Sequence, residues 1–240
     1  MADNQTVPAV SERNGNAASN TISTVMTLGA AAALVLASRS AQAVSPALTF
    51  EANIPGTGDV KVLNYALALE DLEADLYHQA VLRLTTGGTN ALGTTIPGLN
   101  LDSSQVDVAY ATEFAAVEQE HSDFLRAALG TQAITKFKYN FGMESLSRQG
   151  VSQLLYDAEA TGVHAYLGAI PNFATKTYLP VAAGILGTEA RHTAALAIVQ
   201  NILFNANIET APLANENNGR DTPLTPDQVL AHVSPFIVIS

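Results

Sequence analysis

The sequence contains no cysteine. That excludes disulfides, thiolate-held metals and iron–sulfur clusters together, and leaves carboxylate oxygen and imidazole nitrogen as the metal ligands the chain can offer. Basic residues are scarce as well: 11 Lys and Arg stand against 22 Asp and Glu, for a formal net charge of −11. A chain so short of cations cannot neutralise a run of phosphates, which excludes nucleic acid as a partner. Charged residues make up 14% and hydrophobic residues 48% of 240 residues, enough for a sizeable packed core. No stretch alternates apolar and polar residues long enough to read as a sheet. The fold class is therefore all-α.

A long membrane-spanning run is also missing. The one continuous apolar segment, about Ile22 to Ala37, falls short of the roughly 20 residues a span needs. It follows a polar leader rich in Asn and Ser and precedes Ala41-Gln42-Ala43, a small-x-small tripeptide. This pattern predicts a secretory signal over residues 1–43, cleavage after Ala43, and a periplasmic or extracellular protein. Arg13 is the only positive charge ahead of the run, so two competing readings stand beside it: a membrane anchor through 22–37, and a buried or partner-binding helix. Residues 44–58, with Pro46, Pro55, Gly56 and Gly58, read as a linker.

What the chain has in quantity is helical periodicity over residues 59–204. The first helix is expected from Asp59, read as its N-cap, with Leu63, Leu67, Glu70, Ala74, Tyr77, Val81 and Leu84 on one stripe. It stops at a Thr/Gly-rich loop over 85–103. The second follows Asp102-Ser103-Ser104, turns Tyr110, Phe114, Val117, His121, Phe124 and Ala128 inward, and ends at Gly130. A connection containing Lys136 and Lys138 leads to the third, from near Glu144 to Pro171, with Leu155, Glu159, Val163, Tyr166 and Ile170 inward. The fourth runs from about Thr175 to Phe204 through Ile185, Glu189, His192, Leu196 and Val199, with Pro180 in its early turns. Residues 205–240 read as an Asn/Pro-rich loop, a short helix and an apolar tail packing back on the bundle.

Two copies of Glu-x-x-His, Glu118–His121 and Glu189–His192, carry the chemistry. Side chains at i and i+3 leave a helix on the same face, so each pair can hold one metal ion. The helix before each copy carries an inward glutamate, Glu70 or Glu159, followed seven residues later by Tyr77 or Tyr166. This is a helix-pair repeat with a pseudo-two-fold axis. Four ionised carboxylates on apolar stripes without Arg or Lys would cost many kcal/mol. Two divalent cations neutralise them, and two neutral imidazoles complete the ligand set. The competing reading is a hydrogen-bonded network of protonated glutamates. Tyr77 and Tyr166 can bond across to carboxylates of the other half, which makes them the candidate catalytic residues, or simply fill the core. Glu73, one turn from Glu70, reads as a residue backing the ligands or on their flank, His78, His164 and His232 as solvated, and Glu113, Glu120 and Asp123 as a charged outer face.

These motifs, in LNYALALEDLEADLY (63–77), VEQEHSDFLRAALG (117–130), YDAEATGVHAY (156–166) and GILGTEARHTAAL (184–196), resemble the ferritin-like superfamily. The likeness is nearest to bacterial ferritin-like domain proteins related to the desiccation-related proteins of plants. It implies a ferritin-like four-helix bundle with a long crossover between the second and third helices. It also implies a di-iron or di-manganese centre held by Glu70, Glu118, His121, Glu159, Glu189 and His192. Rubrerythrin-like members carry a cysteine-ligated iron module, and this chain has none. Its expected chemistry is then consumption of peroxide, as in manganese catalases, or of dioxygen, in oxidative or desiccation stress. The alternative is a non-enzymatic stress-associated or envelope protein, free of metal or stapled by it, attached to a membrane assembly through 22–37. Self-association as a homo-oligomer is open on either reading.

Overall fold

The computed structural model describes residues 47–215 and 217–238. The apolar run 22–37 and Ala41-Gln42-Ala43, on which the export and anchor readings rest, lie outside the described residues. Six helices occur among those described: α1 (Phe50–Asn53), α2 (Asp59–Leu84), α3 (Val106–Leu129), α4 (Arg148–Ala169), α5 (Tyr178–Phe204) and α6 (Pro226–Val233). The four long ones form the expected bundle. None of the described helices is long and apolar enough to cross a membrane.

Side-chain pairings fix the directions of the helices. Asp71 meets Ser122 and Arg126 while Tyr77 meets Phe114, so α2 and α3 are antiparallel. Glu159 meets both Tyr77 and His192, and Glu70 meets Tyr166, so α4 runs antiparallel to α2 and to α5. It follows that α3 and α4 are parallel, and the chain must travel the length of the bundle between them. Residues 130–147 make that crossover. Gly130 opens it in the left-handed region at φ 55°, which ends α3 without a Cβ clash. Arg148 closes it with a bidentate pair to Asp107 at 2.6 and 2.7 Å, tying the start of α4 to the start of α3.

α2 is the central rod. It packs on α3 and α4 and carries the short hairpin β1 (Gly87–Thr89) and β2 (Thr95–Pro97) at its end. This explains why residues 62–77 are buried all round except at Asp75, the polar Asn64, Glu70, Asp71 and Glu73 included, rather than along one stripe. Each fully buried Leu or Val there stabilises the fold by about 1.5–3 kcal/mol. The contact between α3 and α5 is the weakest along the bundle's sides. There the expectation for the second helix needs correction. Its buried side is Val108, Ala111, Phe114, Glu118, Ser122, Leu125 and Leu129, whereas Phe124 is 51% exposed and Ala128 is exposed. The stripe drifts because 3.6 residues per turn carries a heptad-like reading off the face within a few turns.

Other boundaries differ by small local chemistry. Asp59 does not cap α2, whose N-cap is Gly58. Its carboxylate accepts instead from the backbone of Ala174 and Thr175 at 2.7 and 3.0 Å, holding the α4–α5 turn. The third helix starts at Arg148 rather than near Glu144, because Ser147 caps Gly150 N and Met143–Ser145 form a separate 3-10 turn. The fourth starts at Tyr178 rather than Thr175 and ends at Asn205 in the left-handed region. The segment read as a linker contains α1, and Leu48 and Ile54 are buried. Leu48 N donates to Ser234 Oγ at 2.7 Å and Phe50 N to Asp227 Oδ1 at 2.7 Å. The C-terminal tail returns over α4, and β4 (Ile237–Val238) pairs with β3 (Lys138–Tyr139) of the crossover. These two-residue and three-residue ladders are too short to alternate visibly in sequence. The loop after α5 also returns along α4: Leu224 N donates to His164 O, and His164 Nδ1 lies 2.5 Å from Thr222 O. His164 is therefore half-buried rather than solvated.

Candidate metal centre

Glu70, Glu118, Glu159 and Glu189, one from each long helix, meet in the middle of the bundle, each with 0% exposure. His121 and His192 join them, with potential ligand atoms within 4.8 Å of one another in two overlapping groups. One is Glu70, Glu118, His121 and Glu189; the other is Glu118, Glu159 and His192. All six residues singled out in the sequence are thus brought together.

Glu118 sits at the centre. Its Oε2 lies 2.9 Å from His121 Nδ1 and its Oε1 lies 2.8 Å from His192 Nδ1. His121 Nδ1 is also 3.2 Å from Glu70 Oε2 and 3.7 Å from Glu189 Oε1, and His192 Nδ1 is 3.1 Å from Glu159 Oε1. A ring nitrogen can direct one proton at one acceptor, so these convergences cannot all be hydrogen bonds. Accordingly Glu70 Oε2, Glu118 Oε1, Glu159 Oε2 and both oxygens of Glu189 are buried without a hydrogen-bond partner. Carboxylate oxygens stranded in this way are costly unless a cation takes them up. The donor set of carboxylates and imidazoles suits iron or manganese, and the geometry fits the group.

The charge balance leads to the same place. Burial pushes the Glu70 carboxyl up to about 7, against the pull of His121. Burial also raises Glu159 and raises Glu189 far more, the latter with the repulsion of Glu73 and Glu159 added. Glu118 is the exception. Burial raises it, but the hydrogen bonds and charges of both imidazoles outweigh that and leave it below its ordinary value. Burial alone would lower the histidines, yet the carboxylates carry His121 to about 10 and His192 to about 9. In the absence of metal, protons are the cations that the cluster collects.

The tyrosines bond across the halves. Tyr77 Oη donates to Glu159 Oε1 at 2.5 Å, and Tyr166 Oη donates to Glu70 Oε1. Each phenol rises well above its ordinary value, first through burial and then through its carboxylate partner, so both remain donors. The pseudo-two-fold repeat in the sequence becomes a pair of reciprocal bonds between α2 and α4.

The sequence that folds into this up-down-down-up bundle matches the model of a ferritin-like domain family over residues 58–201. The chain belongs to the ferritin-like domain family. A comparison with curated proteins finds no match. Family membership accounts for the bundle and is compatible with a di-metal site in this ferritin-like chain.

Three residues near the centre make contacts that the sequence does not show. Of the two places expected for Glu73, the structure has it backing the ligands and not on their outer flank. It is 3% exposed, faces the cluster and is pushed well upward by burial and by the charges of Glu70, Glu159 and Glu118. Gly162 on α4 makes room for it: a Cβ there would lie 2.6 Å from Glu189 Oε2 and 3.2 Å from Glu73 Oε1. A glycine inside a helix costs about 1 kcal/mol against alanine, and that cost was the available signal. Phe114 stacks on His192 with centroids 3.7 Å apart and holds the ring in place. His121 has no such cover, and 15% of its side chain is exposed. Behind the cluster, Asp71 accepts from Ser122 Oγ at 2.7 Å and pairs with Arg126, fixing α3 against α2 one residue away from both Glu70 and His121. Glu113, Glu120, Asp123 and His78 are exposed.

Proposed function

We propose that this ferritin-like protein holds two iron or manganese ions and consumes dioxygen or peroxide. The observation that carries the reading is Glu118, with one oxygen on each imidazole, amid buried carboxylate oxygens that have no partner. Bound there, the metals would supply the redox and Lewis-acid chemistry by which a small oxidant is reduced.

The chain's own residues divide the remaining tasks. Glu118, the member common to both groups of potential ligands, and Glu189 would hold the cations between them. Glu70 and Glu159 close the ends, each with one oxygen held by a tyrosine hydroxyl and the other left for a cation. His121 belongs with Glu70 and His192 with Glu159. The surrounding Leu, Val, Phe and Ala side chains exclude water, which keeps the electrostatic interactions inside strong. Tyr77 and Tyr166 are positioned to orient their carboxylates and to hold a proton at Oη beside them.

Tyr77→Phe is expected to retain full metal content, because Glu159 keeps its contact with His192. His121→Ala and His192→Ala are each expected to lower occupancy. Metal analysis of the purified variants checks this, and loss of metal in Tyr77→Phe would make the phenol part of the binding site itself. Activity is tested by loading the wild-type chain separately with Fe(II) and Mn(II) and following dioxygen and peroxide. Consumption above that of the free ions is expected for one metal. None with either would leave the metals a structural staple.

A further inference from the structure

A cavity of about 50 Å³ lies between α2, α4 and the returning C-terminal tail. A single water needs roughly 10–15 Å³ by this kind of measure, so the space admits a few small molecules. Leu72 and Leu76 of α2, Leu154 and Ala158 of α4, Phe141 of the crossover and Phe236 of the tail form much of its wall. His232 is the exposed member of the lining, and Asp157 and Ala158 are half-buried. Glu73 and Gly162 line it as well. These two also border the metal cluster: with no Cβ on Gly162, Glu189 Oε2 and Glu73 Oε1 come up against the backbone of α4 and lie between cavity and cluster. Glu73 is 3% exposed, so a buried carboxyl group stands between cavity and cluster.

The lining decides what can occupy it. Anions are opposed by Glu73 and Asp157 and by the net charge of −11. A hydrated cation would have to give up water against a wall made chiefly of Leu, Phe, Val and Ala. A hydrogen-bonding solute such as peroxide finds few donors there. A small neutral apolar molecule meets none of these penalties, and apolar cavities of this kind take up xenon or similar guests. The geometry points to this cavity as the binding and delivery site for a neutral apolar molecule of dioxygen size, passed from the tail side to the cluster. The inference rests on the functional reading above and, of its two oxidants, selects dioxygen.

Xenon under pressure is the probe, applied to crystals of the full chain with and without metal. Xenon is expected among Leu72, Leu154 and Phe236 in the wild type and lost in Ala158→Phe, which fills the middle of the cavity. Thr161→Leu narrows the same space from the next turn of α4 and serves if the larger side chain unfolds the protein. Whichever variant retains its iron, its Fe(II) form is expected to be oxidised by dioxygen several-fold more slowly than the wild type. A wild-type cavity that takes no xenon overturns the inference and leaves the functional reading intact. So does a variant that excludes xenon yet is oxidised at the wild-type rate. A wild type that binds xenon but is never oxidised by dioxygen overturns delivery and leaves peroxide as the oxidant of the functional reading.

Discussion

A chain carrying both Glu118→Ala and Glu189→Ala is expected to lose most of its metal, against close to two ions per chain in the wild type. Glu118 is the carboxylate with an oxygen on each imidazole, and Glu189 brings two buried oxygens that nothing else satisfies. Without them each position keeps one glutamate and one histidine. The two cations also lose the negative charge that lies between them. Two dications about 4 Å apart repel by on the order of 16 kcal/mol at an effective dielectric constant of about 20, four times the unit-charge value. Two terminal carboxylates cannot offset that. Glu189→Ala removes a buried carboxylate that has no partner, which favours the metal-free fold, whereas Glu118→Ala takes from both imidazoles their shared acceptor and works against it. Metal analysis after dialysis, with circular dichroism as the check on folding, decides it. Full occupancy in a folded double variant would sink the ligand assignment.

The second large effect is a metal-dependent stability that grows with pH. In the metal-free protein Glu70 is raised to about 7, His192 to about 9 and His121 to about 10, with Glu73, Glu159 and Glu189 raised as well. A raised group contributes stability that is complete below its unfolded value and is lost as pH climbs through its folded value. For Glu70 that loss falls between 4.5 and about 7, and for the histidines between 6.5 and about 9 to 10. Glu118, lowered, works in the opposite sense below 4.5. Metal ligation needs the same groups deprotonated, so affinity rises over the range in which the metal-free fold weakens. At 100 times Kd the stabilisation is about 2.7 kcal/mol, or roughly 5–10 °C in Tm for a domain of this size. The difference in Tm between loaded and metal-free protein is expected to widen from pH 5 to pH 8. A gap that stays flat or narrows would mean that the ions bind elsewhere.

Much of the centre was legible because its ligands are tied to helical periodicity. Glu-x-x-His places both ligands on one face of one rod, whatever the rod packs against, and the repeat Glu70–Tyr77 and Glu159–Tyr166 holds its spacing within single helices. Where a residue's role depends on a neighbouring helix, the same periodicity fails. Phe124 sits on the stripe projected from Tyr110 and Phe114, yet it is half exposed because the buried face of α3 has drifted to Glu118, Ser122 and Leu125 by that turn. Asp59 has the composition of a cap and the position of one, but its acceptors are claimed by backbone 115 residues away.

The sequence by itself determined the helical class, the dependence on oxygen and nitrogen ligands, the Glu-x-x-His pairs with their partner glutamates, and the acidic surface. Composition and spacing within one helix carry all of these. Only the tertiary structure decided that Glu118 reaches both histidines and that each tyrosine serves the opposite half. It also decided that Glu73 faces the cluster across Gly162, and that the returning tail walls a cavity beside it. The physical reason is that those facts depend on the directions and separations of four packed helices. Those are set by the sum of many apolar contacts over the whole chain, and no local pattern of residues records that sum.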